Sequence, residues 1–84
     1  MKYHVYALLS TVRNYIYVGL TSDLERRLRD HQNGYNPTTK PYKPFELILL
    51  EEHETRVLAR EREKYLKTSA GKRWLRSHKV TIKS

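Results

Sequence analysis

Apolar residues along this chain recur first with the period of strands, then of a helix, then of a strand, then of helices again. Tyr3 to Leu9 is rich in aromatic and aliphatic residues and stops at Ser10-Thr11, which predicts a strand. Val12-Arg13-Asn14 predicts a turn, with Asn14 at positive φ. Tyr15 to Gly19 predicts a second strand, antiparallel to the first. Gly19 ends it, where the backbone bends sharply or approaches another group closely.

A helix is expected next. Ser22 and Glu25 have the spacing of a capping box, and Leu24 and Leu28 form a buried stripe with Arg27 and His31 on the same side. Asn33-Gly34 closes it. Tyr35 to Pro44 carries all three prolines and predicts a loop. Phe45 to Leu50 reads as a strand, and its four consecutive aliphatics predict cover on both faces. Thr55 caps a second helix running to about Thr68, with Leu58, Ala59, Tyr65 and Leu66 as its apolar residues. Ser69 caps a short third helix that turns Trp74 and Leu75 inward. The expected architecture is α/β (α+β): a three-stranded antiparallel sheet flanked by helices, in the order β-β-α-β-α-α. One domain spans 3–78, followed by a short tail, 79–84.

Length limits the core. A chain of 84 residues buries about 60–65% of the surface its unfolded form exposes. Seventeen Lys and Arg against nine Asp and Glu give a net charge of +8. Such an excess in a small domain points to a polyanionic partner, most often nucleic acid. With no cysteine, disulfides and thiolate zinc sites are excluded. The opening residues do not form a secretory signal, and no segment approaches the ~20 apolar residues needed to cross a bilayer. A soluble cytoplasmic protein without a membrane partner is expected.

The hairpin and first helix can bring two phenols, Tyr6 and Tyr17, and the Arg27 guanidinium to one side of the sheet. Those groups suit attack on a phosphodiester. Taken singly, each tyrosine reads as a core aromatic and Arg27 as a solvated helix residue. Arg27 gains weight because it borders the Leu24–Leu28 stripe. His31 lies one helical turn further on, and reads equally as a proton donor or phosphate contact and as a helix-end histidine. On the second helix, pattern alone leaves Glu61 and Glu63 equal. Arg62 falls near the middle of the stripe, where it either pairs with an acid or reaches over the core edge to a phosphate. Lys40 and Lys43, with Lys64, Lys67, Lys72, Arg73 and Arg76, are candidates for a backbone-binding surface. Tyr35 and Tyr42 can stack on an unpaired base.

These elements together resemble the GIY-YIG nuclease family. His4-Val5-Tyr6 and Tyr17-Val18-Gly19 are the counterparts of its two name-giving tripeptides, with His4 standing where the first has glycine. The run from Tyr17 to Leu28 is similar to the family core and sets Arg27 in the expected place. His31 and Asn33-Gly34 match a common extension. Ala59 to Lys64 resembles the helix that supplies a metal-binding glutamate, and the best register assigns Glu63. The likeness covers residues 3 to about 76 and is greatest to the short stand-alone members.

The resemblance implies a metal-dependent endonuclease acting on DNA, duplex or branched, with RNA left open. It implies one divalent metal, Mg²⁺ or Mn²⁺, held by Glu63, and a tyrosine general base. Tyr6 is expected to be that base, with Tyr17 orienting water or phosphate, although the two roles are exchangeable. A free phenol has a pKa of ~10, so Arg27 is expected to favour the phenolate and to hold the phosphate in a forked contact. Gly19 is structural at the site. The alternative is a non-catalytic nucleic-acid-binding module that keeps the fold. A homodimer or a targeting partner is left open.

Overall fold

Strand pairing sets the frame on which everything else is mounted. In the computed structural model, which describes residues 2–78, strand β1 (Tyr3–Ser10) lies at the centre of the sheet. It pairs antiparallel with β2 (Ile16–Thr21) on one side and with β3 (Phe45–His53) on the other, giving the order β2-β1-β3. Among the described residues, three α-helices complete the fold, α1 (Leu24–Gln32), α2 (Arg56–Leu66) and α3 (Ser69–His78), and a short 3-10 helix, Lys40–Tyr42, interrupts the stretch expected to be loop. The observed order is β-β-α-β-α-α, as the sequence predicts. The tail expected at 79–84 lies outside the described residues.

The pleat sorts side chains to two faces. Val5, Ala7, Ile16, Val18 and Ile48 face α2 and α3, where Ala59, Leu66 and Leu75 complete one core. Tyr6, Leu8 and Phe45 belong to the opposite cluster, with Tyr17, Leu24 and Leu28 packed against them. Helices therefore cover both faces. Each fully buried aliphatic or aromatic side chain contributes about 1.5–3 kcal/mol.

The aliphatic run of β3 has a local explanation. Ala7 pairs with Leu49 and Leu8 with Leu47, so a bulge leaves Ile48 without a partner across the ladder. Ile48 and Leu49 then pack on the α2–α3 side and Leu47 on the α1 side. Leu50 is partly exposed on this edge strand, so cover on both faces stops short of it.

Several local expectations are corrected. Among the described residues no non-glycine residue has positive φ, so Asn14 does not play the part assigned to it. The hairpin turn is held by Ser10 instead. Its Oγ accepts from the Val12 and Arg13 amides (3.3 and 3.0 Å) and donates to the Tyr42 carbonyl (2.6 Å). The α1 cap is Asp23, which accepts from the Arg26 amide at 3.3 Å, one residue after the Ser22 predicted. Asn33-Gly34 does close α1, with Gly34 at φ +74°.

On α2, Thr55 caps as expected, accepting from the Leu58 amide. The buried residues, however, are Ala59, Glu63 and Leu66, while Leu58 and Tyr65 are exposed. The spacing of the buried set is 4 and 3, the period of a single helix face, and it includes a carboxylate that an apolar pattern cannot show. Thr68 rather than Ser69 caps α3, its Oγ1 accepting from the Gly71 amide at 3.1 Å. Leu75 is buried and Trp74 half-buried. Lys72 donates to the Ile16 carbonyl at 2.6 Å, fastening α3 to the outer strand, and burial lowers its pKa. That ammonium is a structural tie rather than a free phosphate contact. No helix among the described residues is long and apolar enough to cross a membrane.

The α2–α3 corner leaves no space for a side chain at Gly71. A Cβ there would run into the Tyr65 carbonyl and lie 2.5 Å from the Leu66 Cα, both backbone atoms. Gly71→Ala is expected to cost about 1–3 kcal/mol of stability through overpacking. Urea unfolding should show this as a lower midpoint with an unchanged m-value.

Candidate active site

Tyr6 pairs directly with Gly19 across the β1–β2 ladder. A Cβ on Gly19 would come within 2.5 Å of the Tyr6 Cζ and Oη atoms and 2.9 Å of Tyr17 Cε2. The missing side chain is therefore what lets the Tyr6 ring lie over β2. Tyr17 stands two residues earlier on the same face of β2, its ring centroid 6.2 Å from that of Tyr6.

Helix α1 closes over both rings. His31, 1% exposed, has its ring centroid 4.8 Å from Tyr17, 5.9 Å from Tyr6 and 6.2 Å from Phe45. Tyr6 Oη lies 3.1 Å from His31 Nε2, and His31 Nδ1 lies 2.8 Å from Thr39 Oγ1. Thr39 is buried and donates onward to the Asn36 carbonyl (3.5 Å). Its oxygen thus accepts from the Nδ1–H of His31. The Nε2 lone pair is left to accept from the Tyr6 hydroxyl.

Electrostatics agrees with that direction. Burial, and then the Arg27 guanidinium, lower the His31 pKa; Asp30 opposes them more weakly. The imidazole is neutral at neutral pH. Burial, and then the neighbouring Tyr17, push the Tyr6 phenol well above its ordinary range, and Glu63 adds to the rise. Arg27 acts in the expected sense but does not prevail. The expectation that its field would favour the phenolate is corrected: desolvation decides, and Tyr6 stays protonated at rest.

Arg27 is exposed and borders two clefts of similar size. One, of about 230 Å³, is shared with Asp30, His31, Tyr35 and Asn36. The other, of about 220 Å³, is shared with Thr21, Ser22 and Arg56. Glu63 is buried on α2, whereas Glu61 is exposed. The Glu63 carboxylate accepts from Arg60 Nη1 at 2.8 Å and lies 3.2 Å from Lys67 Nζ. It touches none of the tyrosines, and its charge reaches the Tyr6 phenol only across space. No group of three or more His, Cys, Asp or Glu side chains forms a metal cage among the described residues.

A lone carboxylate still suits a hard divalent ion. Mg²⁺ commonly takes one or two protein carboxylates, keeps several waters and uses substrate phosphate oxygens for the rest. The cations now holding Glu63 have side chains more than half exposed, so they can swing into solvent when another cation arrives.

Other candidates are otherwise engaged. Arg62 makes a forked contact with Glu51 (Nε 3.0 Å, Nη2 3.0 Å) and lies over the Trp74 ring at 5.0 Å. Of the two alternatives, pairing with an acid is the one observed. Tyr42 stacks on Tyr15 with centroids 3.9 Å apart, which leaves Tyr35 as the exposed aromatic of the loop. Lys40 and Lys43 are exposed beside Gly34 at the end of α1. His53 is bonded to Glu51, and His78 stacks on Trp74.

Sequence reasoning passed over Thr39 and Arg56. Thr39 sits in an aperiodic, proline-rich loop, where no signal marks it. Arg56 opens α2 seven residues before Glu63, a spacing that was readable.

An antiparallel three-stranded sheet in β-β-α-β-α-α order, with a phenol laid across a strand glycine, defines a GIY-YIG-like domain. The chain belongs to that family: the GIY-YIG catalytic domain matches residues 2–79. Its members are generally endonucleases and typically use a divalent metal. The solution NMR structure of the UPF0213 protein BH0048 from Bacillus halodurans is similar in fold, with a TM-score of 0.57 and 28% identity. That match covers 92% of this chain and 84% of the other. No curated protein shows a significant match to the chain.

The neutral His31 makes stability depend on pH. The unfolded chain takes up a proton at this position near pH ~6.5, and the folded chain resists it. Stability from this group is complete above that pH and is lost as pH falls through the lowered folded pKa. Urea midpoints measured from pH 7.5 to 5 should fall more steeply for the wild type than for His31→Gln. Parallel slopes would exclude His31 as the responsible group.

Proposed function

We propose that the protein is a metal-dependent DNA endonuclease that hydrolyses phosphodiester bonds at the surface around Tyr6, Tyr17 and Arg27. The observation that carries this reading is the 3.1 Å contact from the Tyr6 hydroxyl to the free nitrogen of a neutral, buried histidine.

Hydrolysis requires a proton to leave the attacking water, charge on the phosphoryl oxygens to be stabilised and the leaving oxygen to be helped. A protonated phenol becomes a base if it passes its own proton on as it receives another. As water attacks phosphorus, Tyr6 Oη takes the water proton and gives its original proton to His31 Nε2. The imidazolium that forms keeps its Nδ1–H on Thr39. As the bond from phosphorus to the leaving oxygen breaks, Tyr6 Oη gives the water-derived proton to that oxygen or to solvent. Burial and Arg27 disfavour the imidazolium, so His31 returns its proton to Tyr6 and the relay resets. His31 acts through Tyr6 and not on the leaving group directly, since its Nε2 is held by the Tyr6 hydroxyl and its Nδ1 by Thr39.

Tyr17 orients the water or the phosphate. Arg27, exposed between two clefts, holds the phosphoryl oxygens. Glu63 is the residue that would hold the metal, Mg²⁺ or Mn²⁺. When bound, such an ion supplies positive charge to the phosphoryl and leaving oxygens. The +8 net charge, with Lys40 and Lys43 exposed near the site, gives sequence-independent affinity for the backbone.

Nicking of plasmid and branched DNA with Mg²⁺ or Mn²⁺ tests the reading. Tyr6→Phe, Arg27→Ala and Glu63→Ala are each expected to slow cleavage by about 10²–10⁴-fold while the protein stays folded. A Glu63→Ala protein that nicks at the wild-type rate would remove the metal assignment. Wild-type protein that binds DNA without nicking it would be the non-catalytic module instead. Duplex affinity should drop steeply with added salt, and a flat salt dependence would exclude the basic surface as the contact surface.

A further inference from the structure

Arg27 does not line its second cleft alone. Arg56 begins α2 seven residues before Glu63, so two helical turns place both on one side of that helix. Its side chain and that of Arg27 line the same cleft of about 220 Å³, with Tyr3, Leu20, Thr21 and Ser22 as the remaining walls. Neither guanidinium is paired with a carboxylate among the described residues. Like charges converging on one cavity, without a counter-ion, stabilise nothing in the free protein. Their convergence becomes favourable once an anion enters. The hydroxyl of Ser22, exposed at the mouth, adds a neutral donor.

We propose that this cleft is a second phosphate subsite, which takes the backbone phosphate adjacent to the scissile one through Arg56 and Arg27. The proposal rests on the endonuclease reading for the word scissile, and on the two unpaired guanidinium groups for the site itself. Its place along the substrate follows from the sheet. Thr21, in the cleft wall, stands two residues beyond Gly19 on the same strand and the same face, a displacement of about 7 Å. That is the scale of one nucleotide step. A backbone lying along β2 thus sets one phosphate near Tyr6 and Tyr17 and the next between the arginines. Arg27 lines this cleft and its charge also reaches the Tyr6 phenol, so it serves both phosphates, whereas Arg56 serves only the neighbour. Arg56 is a positioning residue: it holds the neighbouring phosphate with a binding energy that is the same before and during reaction, and it does not touch the reacting phosphorus.

The test uses two dinucleotide probes, thymidine dinucleotide with and without a 5′-phosphate, titrated into the full chain in EDTA so that hydrolysis plays no part. The wild type is expected to bind the two-phosphate probe about tenfold more tightly than the one-phosphate probe, the worth of one charge-assisted contact. That preference should fall below about twofold in Arg56→Gln, be partly retained in Arg56→Lys, and persist in Arg26→Gln, whose arginine lines neither cleft. Amide NMR shifts at Thr21 and Ser22 should follow the two-phosphate probe in the wild type and not in Arg56→Gln. With Mg²⁺ and a longer DNA, Arg56→Gln should raise KM about tenfold with kcat little changed. An undiminished preference in Arg56→Gln overturns the proposal, as does saturable binding of neither probe by the wild type. A protein that keeps the phosphate preference yet never nicks DNA would sink the endonuclease reading and leave the anion subsite standing.

Discussion

A phenol can lie across a neighbouring strand only where that strand carries no side chain. The register that sets Tyr6 opposite Gly19 meets this condition, and the remaining geometry of the site hangs on it. With the ring over β2, the hydroxyl arrives beneath α1, where His31 waits with an unprotonated nitrogen. The Tyr17 ring fills the flank, and Phe45 from the far strand supports the imidazole from another side. A methyl group at position 19 would displace the hydroxyl itself, not a distant support. The glycine is thus a positional device rather than a flexible hinge, and no positive φ is needed to explain it.

Two opposite electrostatic regimes meet at this place. Beneath the surface, burial keeps both the phenol and the imidazole uncharged, even against a guanidinium a short distance away. At the surface, Arg27 and Arg56 stand without a carboxylate partner among the described residues. The candidate site thus sets neutral groups inside against two arginines outside. In the proposed chemistry, substrate phosphate supplies the opposing charge, and the interior supplies a route for the proton that the surface cannot hold.

The fold was legible because its signals are local and strong. Strand composition, the Asn33-Gly34 stop and the Thr55 cap located the three strands and three α-helices, but not the short 3-10 helix at Lys40–Tyr42. The errors came where one polar side chain competes with another for the same backbone amide: Asp23 over Ser22, Thr68 over Ser69, and Ser10 in place of a positive-φ asparagine. At the candidate site, Tyr6, Tyr17 and His31 converge from elements whose relative placement the hairpin and one helix already fix. What sequence could not supply was direction. Nothing in the pattern says that the Arg62 fork turns to Glu51, or that desolvation outweighs Arg27 at the phenol. Thr39 was invisible for a different reason. Its partner lies eight residues away across a turn-rich segment with no period to follow.

That threonine has a wider meaning. An imidazole has two ways to carry one proton, and the hydroxyl beneath His31 selects between them. The selection is made by a connecting segment, not by the sheet or the helices that hold the rings. Tautomer choice at the centre is therefore governed from the periphery. Shortening or exchanging the segment around 36–39 would alter which nitrogen is basic while leaving every aromatic ring in place. Variation in that segment among related chains should be read as chemical tuning as well as a change of surface.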